Sequence, residues 1–168
     1  MSPHSKAKDS QADSGRKPSR PDRAVQTYKT ILVCYDGSDN ALRALQKGIV
    51  VAKESGGELT VIVAADTRSF AARNLGRYFR DMRKYIIDYC EEQLSKAVET
   101  AENGGVSSVR GSVEEGHPVD MILAKAFDVD AELIVVGRRG LRGIQRHLLG
   151  SVSSSVVGQS TCDVLVVK

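Results

Sequence analysis

From Thr30 to its end the chain alternates short runs of aliphatic residues with longer stretches whose apolar residues recur every three or four positions. No other feature narrows the fold as much. Parallel strands need crossovers of helical length, and a sheet built that way carries helices on both faces. The first run, Ile31-Leu32-Val33-Cys34-Tyr35, ends at Asp36-Gly37-Ser38. Ser38 is suited to cap the helix marked out by Leu42, Leu45, Ile49 and Ala52. Gly56-Gly57 stops that helix, and a second strand runs from Leu59 to Ala65. Leu75, Phe79, Met82, Ile86, Cys90, Leu94, Ala97 and Ala101 then form a helical stripe about seven turns long. A weaker, more polar run from Val106 to Val113 reads as an edge strand. Pro118 opens a third helix with Val119, Ile122, Leu123 and Ala126 as its apolar face. Leu133-Ile134-Val135-Val136 is continuously apolar, as a strand buried on both faces should be. A glycine-rich loop, a short helix from Ser151 and a last strand, Val164–Val167, follow. The expected fold is α/β, a single doubly wound parallel sheet of five strands with helices on both faces.

Composition excludes several classes of function. Hydrophobic residues at 41% suffice for one core. The net charge of +3 hides an asymmetry: residues 1–29 hold seven Lys/Arg against three Asp/Glu, whereas the rest hold seventeen against eighteen. The basic balance belongs to the N-terminal segment, so a nucleic-acid-binding domain is not expected. Residues 1–28, rich in Ser, Lys, Arg, Asp and Pro, bury too little to offset their ordering entropy and read as a disordered tail or a cloning remnant. Met1 to Arg23 contains no apolar stretch of a secretory signal. The longest apolar runs, such as Leu59–Ala65, fall far short of the ~20 residues that span a bilayer, so no membrane partner is expected. Cys34, Cys90 and Cys162 are too few and too scattered for a disulfide framework or a zinc site, which suits a reduced, cytoplasmic protein.

In an open α/β sheet ligands bind beyond the carboxyl ends of the strands, where the winding reverses. The loops after strands one and four are therefore the places where chemistry is expected. After strand four come Gly137-Arg138-Arg139-Gly140-Leu141-Arg142-Gly143, then Gly150-Ser151 at a helix start. Glycines let backbone approach a ligand, a helix N-terminus offers unpaired N–H groups, and Ser151 and Ser153 add hydroxyls. This is what a phosphate chain needs, although glycines that merely shape a loop give the same residues. The loop is neither a Walker A sequence nor Gly-x-Gly-x-x-Gly.

Gly137-x-x-Gly140, nine residues, then Gly150-Ser151 resembles the Gly-2x-Gly-9x-Gly-(Ser/Thr) nucleotide motif of the universal stress protein family. The resemblance extends over 29–168 and includes "ILVCYDGSDNALRAL", "GHPVDMIL", "AELIVVGRRG", "LLGSVSSSVV" and "CDVLVV". It implies strand order 3-2-1-4-5, a nucleotide-binding domain over 29–168, and the ATP-binding branch of the family. It also implies bound ATP, AMP or ADP, with Mg²⁺ accompanying the phosphates. Asp36 would sit beside the nucleoside, and the backbone of Ala64 would meet the adenine edge. Cys34 and Val136 would line base and ribose, Cys34 departing from the small or Pro-like residue common there. Gly137 and Gly140 would contact ribose and phosphate, and Gly150, Ser151, Val152 and Ser153 would hold the phosphate chain. The resemblance further implies a homodimer through Val164–Val167.

Of the two arginines in the loop, at most one is expected to face a ligand, and Arg139 is taken as the candidate; Arg142 and Arg146 are further ones. His117, before Pro118, reads as a surface residue of the cap region, and His147 and His4 have no identifiable catalytic partner. Arg68, Arg73, Arg77, Arg80, Arg83 and Lys84 stand against Asp81 alone between 67 and 85. This stretch is either a solvated face with Arg77–Asp81 and Lys84–Asp88 pairs or a docking patch for an acidic partner. Three functions fit: a nucleotide-binding stress or regulatory protein with slow turnover at most, a dimeric adaptor with an empty loop, and an ATP-pyrophosphatase or nucleotidyltransferase. The last would need its glycines after strand one, where this chain has Asp36-Gly37-Ser38-Asp39-Asn40.

Overall fold

A computed structural model describes residues 27–68, 76–141 and 149–168. Five parallel strands, β1 (Thr30–Cys34), β2 (Glu58–Ala65), β3 (Val109–Glu115), β4 (Leu133–Gly137) and β5 (Asp163–Val167), form one sheet in the order β3-β2-β1-β4-β5. Helices α1 (Asp39–Ser55) and α2 (Gly76–Asn103) pack on one face, and α3 (Pro118–Asp128) and α4 (Ser151–Gln159) on the other. The winding reverses between β1 and β4, which pair directly from Ile31↔Leu133 to Cys34↔Val136.

Period-two alternation divides the core. Ile31, Val33, Leu59, Val61, Leu133 and Val135 point toward Ala44, Leu45, Ile49 and Ala52 of α1 and Ala97 and Ala101 of α2. Leu32, Cys34, Ile62, Ile134 and Val136 point the other way, onto Val119, Ile122 and Val156. β1 and β4 are thereby sealed on both faces, and β4 is buried throughout. Helices cover both faces of the sheet, so a ligand would meet it at the carboxyl ends of the strands.

Local chemistry sets the element boundaries. Ser38 caps α1, its Oγ accepting from Ala41 N–H at 3.2 Å, and Gly56 ends the helix in the left-handed conformation at φ 59°. The face that α1 buries is Ala41, Ala44, Leu45, Gly48, Ile49 and Ala52, whereas Leu42 is 39% exposed. Small residues on that face bring the helix close to the sheet. β3 begins three residues later than its apolar pattern predicts and ends two later: Val106 is buried in the connection, and pairing with β2 runs from Leu59↔Val109 to Ala65↔Glu115. β3 and β5 are the sheet edges. In the stripe predicted for α2, Cys90, Ala97 and Ala101 are buried and Leu94 partly so, but Met82 is 42% exposed because the N-terminal part of this helix has outrun the core.

Among the described residues no helix is long and apolar enough to cross a membrane. The expectations concerning residues 1–26, His4, Leu75, Phe79, Arg73, the Arg77–Asp81 pair, Arg142, Arg146 and His147 fall outside the described residues or side chains.

Candidate functional site

A cavity of about 620 Å³ opens at the carboxyl ends of β2, β1 and β4. Cys34, Asp36, Ala64, Val136, Gly137, Arg139, Gly140, Gly150, Ser151, Val152 and Ser153, the residues singled out from the sequence, all line it. They come from four separate stretches of chain, and the reversal of winding between β1 and β4 draws them together.

One end is built from the glycine-rich loop and the start of α4. Arg138 is central to its shape: its backbone N–H donates to Val167 O at 2.6 Å, and its carbonyl accepts from Gly150 N–H at 2.8 Å and from Ser153 Oγ at 2.9 Å. Ser153 is buried and also reaches Gly150 O at 3.0 Å, so this hydroxyl serves the loop's architecture. Gly150 is the N-cap residue of α4 and supplies no side-chain cap. The first intrahelical bond there is Ser154 N–H to Gly150 O, leaving the preceding amides of the first turn for a ligand at the positive end of the helix dipole.

Asp36 fastens this loop to the end of β1. Its Oδ1 accepts from Ser38 N–H at 3.0 Å and its Oδ2 from Leu141 N–H at 3.1 Å. Ser38 caps α1, and Asp36 clasps the loop. Gly140 lies so close that a Cβ built on it would overlap Asp36 Oδ2, and a Cβ on Gly137 would come within 2.8 Å of the Asn40 backbone. These glycines are needed for close packing, since neither has a positive φ.

The other end lies over β2 and between α2 and α3. Pairing of β1 with β2 stops with Tyr35 N–H donating to Ile62 O at 2.9 Å, while Gly116 N–H donates to Ala65 O on the β3 side at 3.1 Å. Alternation along the strand therefore turns the N–H and C=O of Ala64 toward β1, one step past the end of that pairing. Ile62, Pro118 and Ile122 give this end apolar walls, and Ile86, Tyr89, Cys90 and Gln93 of α2 close its side. His117, expected at the surface, contributes to the lining, as do Asp66 and Arg68. Charged contacts hold the walls in place: Arg83 of α2 pairs with Glu115, which also accepts from Thr67 Oγ1 at 2.7 Å, and Lys125 of α3 pairs with Glu114 at 2.6 Å.

The electrostatics favour binding over thiol chemistry. Burial, and then the charge of Asp36, push the Cys34 thiol well above its ordinary range, and burial raises Cys90 as well. Neither supplies a thiolate nucleophile at neutral pH. No three His, Cys, Asp or Glu side chains converge on a metal position among the described residues.

The α2 and α3 walls were not read from the sequence. Tyr89 and Gln93 sit in an ordinary amphipathic helix, and only their position beyond the buried stripe distinguishes them. The signal for His117 was its place between Gly116 and Pro118, after a strand and at the N-cap of the next helix. Every carboxyl end of an inner strand in this architecture borders the crevice.

Comparison with known proteins agrees with this geometry. Residues 27–168 match the family model described as the universal stress protein family. A protein of Staphylococcus saprophyticus named for that family is 38% identical over 143 residues, 84% of each chain. A universal stress protein solved in complex with cAMP is 31% identical with a TM-score of 0.65, over 85% of this chain and 99% of that one. The universal stress protein from Archaeoglobus fulgidus in complex with dAMP is 25% identical with a TM-score of 0.62, over 85% of this chain and all of that one. With its strand order, its crevice and the match over almost the whole described chain, this protein belongs to the universal stress protein family.

Proposed function

We propose that the chain is a regulatory or stress-response protein that binds an adenine nucleotide in the crevice between β1 and β4. The observation that carries this reading is the convergence of the glycine loop, the uncapped start of α4 and the open backbone edge of Ala64 on one cavity. Phosphates placed on the amides of Ser151, Val152 and Ser153 put the ribose near Asp36 and the base against Cys34, Val136 and Ala64. Arg139 lines the cavity at the loop, where a guanidinium suits phosphate oxygens. Gly137 and Gly140 let the backbone come close. Mg²⁺ would arrive with the phosphates, held by phosphate oxygens and water. Relatives solved with cAMP and dAMP support an adenine nucleotide without selecting among ATP, ADP and AMP.

The site is proposed to bind more than it turns over. Both carboxylate oxygens of Asp36 already accept backbone N–H groups, which commits them to holding the loop and makes Asp36 a poor general base. Assembly through β5 is part of the proposal. This edge strand leaves Leu165 37% exposed between half-buried Val164 and Val166, and a second copy would cover it. An acidic partner on the Arg68–Lys84 stretch has less support, because Arg68, Arg83 and Lys84 pair with Asp66, Glu115 and Asp88.

The test is thermal unfolding of the full chain with and without ATP–Mg²⁺. At a ligand concentration near 100 Kd, binding stabilises by about 2.7 kcal/mol, or roughly 8 °C for a chain of this size. Ser151→Asp sharpens the result. A carboxylate in the first turn suits the free helix but repels phosphate, so the basal Tm should hold while the nucleotide shift disappears. No shift in the wild type at millimolar ATP, ADP or AMP overturns the proposal, leaving a dimeric adaptor as the better account.

A further inference from the structure

We propose that His117 is the residue that distinguishes a 6-amino from a 6-oxo purine in this site, a proposal that rests on the nucleotide reading above. His117 is the N-cap residue of α3, yet its side chain makes no capping bond. The imidazole is therefore not engaged in holding the helix. It lines the crevice together with Ala64, Pro118 and Ile122, at the end over β2. With phosphates on the amides of α4 beside β4, a nucleotide that crosses β1 lays its base at this end.

The ring has a defined electrostatic setting. Its Nδ1 is closed off from solvent and makes no hydrogen bond, and the carboxylate Oδ1 of Asp120 stands 3.5 Å away. That distance is too long for a good hydrogen bond, but of the two neutral tautomers an adjacent carboxylate favours the one with its proton on Nδ1. Nε2 then carries the lone pair. Side-chain exposure of 38% with Nδ1 occluded means that the open part of the ring includes this other edge. An acceptor there matches the exocyclic amino group of adenine and opposes the carbonyl oxygen of hypoxanthine or guanine. Recognition of this kind is selective because the wrong base leaves two acceptors facing each other.

The experiment is calorimetric titration of the full chain with ATP and with ITP, which differ in the 6-substituent and, with it, in the proton on N1, each with Mg²⁺. Wild type should prefer ATP by roughly three- to tenfold, the value of one hydrogen bond. His117→Ala should weaken ATP by that factor, leave ITP nearly unchanged, and bring the ratio close to one. Asp120→Asn, at an exposed position, removes the charge that fixes the tautomer and should lower the same ratio with His117 in place, so it carries the test if His117→Ala melts early. Equal binding of ATP and ITP by the wild type overturns this proposal and leaves nucleotide binding intact. So does an unchanged ratio in His117→Ala, or an equal loss for both nucleotides at unchanged Tm. Binding of neither nucleotide to the wild type overturns both proposals.

Discussion

Replacing Gly140 by Ala tests whether the glycine loop is held by Asp36. The new Cβ overlaps Asp36 Oδ2, so the carboxylate must turn away and release Leu141 N–H, which it accepts at 3.1 Å. A hydrogen bond to a charged group contributes about 1.5–3 kcal/mol, and Asp36 is half-buried, so water recovers part of it. We expect a loss of about 1–2 kcal/mol, or a Tm lower by about 3–6 °C at roughly 3 °C per kcal/mol. The φ of Gly140 is not positive, so alanine meets no backbone penalty. In an Asp36→Ala background the overlap is gone, and Gly140→Ala should be neutral or stabilising by about 0.4–1 kcal/mol through the unfolded chain. Urea denaturation of the four proteins measures the coupling, expected at 1 kcal/mol or more. Additivity within about 0.5 kcal/mol would refute the reasoning, because the glycine would then matter for something other than its contact with Asp36.

Gly37 sits at φ 81°, and its Cβ would fall 2.8 Å from Gln93 Oε1. Gly37→Ala should cost about 1–2 kcal/mol for the left-handed conformation, and Gln93→Ala should recover only the part due to the overlap, both read from urea midpoints. Ser153→Ala removes a buried hydroxyl from Arg138 O, but Gly150 N–H still satisfies that carbonyl, so a loss near 1 kcal/mol is expected. Glu115 is held below its ordinary 4.5 by hydrogen bonds from Arg83 and then Thr67. A folded-state value below the unfolded one means that this contribution is fully present above pH 4.5 and is lost as pH falls through the lowered value. Glu115→Gln should therefore be less stable than the wild type near neutrality, with the difference shrinking as pH falls below 4.5 in denaturation curves.

Most of the fold was legible because the strands alternate cleanly and their connections are helical in period. Strand order and the reversal between β1 and β4 follow from that, once the family motif is seen. Periodicity misjudged what depends on distance from the core. Leu42 and Met82 keep the apolar spacing but lie where less core covers them, and Gly48 faces Val33 on the buried side of α1. The loop residues were legible because glycine and serine spacing reports directly on backbone geometry. The α2 and α3 walls were not, since Tyr89 and His117 are more than fifty residues in sequence from Asp36, and only packing brings them to one cavity. The role of Asp36 was half legible: its place after β1 marks the crevice, but its bond to Leu141 N–H crosses 105 positions of sequence.

The chain has its two described ends on opposite poles of the sheet, and this decides how the protein should be tethered. Tyr28 donates to Asp163 at 2.8 Å, Lys29 N–H donates to Glu132, and Glu58 N–H donates to Lys29 O at 2.8 Å, fixing the start of the domain at the amino ends of β5, β4 and β2. The last strand ends beside Arg138, whose N–H donates to Val167 O. A five-residue strand separates these poles by about 16 Å. A surface or reporter attached ahead of residue 27 therefore starts from the pole away from the crevice, whereas one attached after Lys168 starts beside the glycine loop. Ligand measurements on an immobilised protein belong on the first arrangement, and a fluorophore meant to sense occupancy belongs on the second.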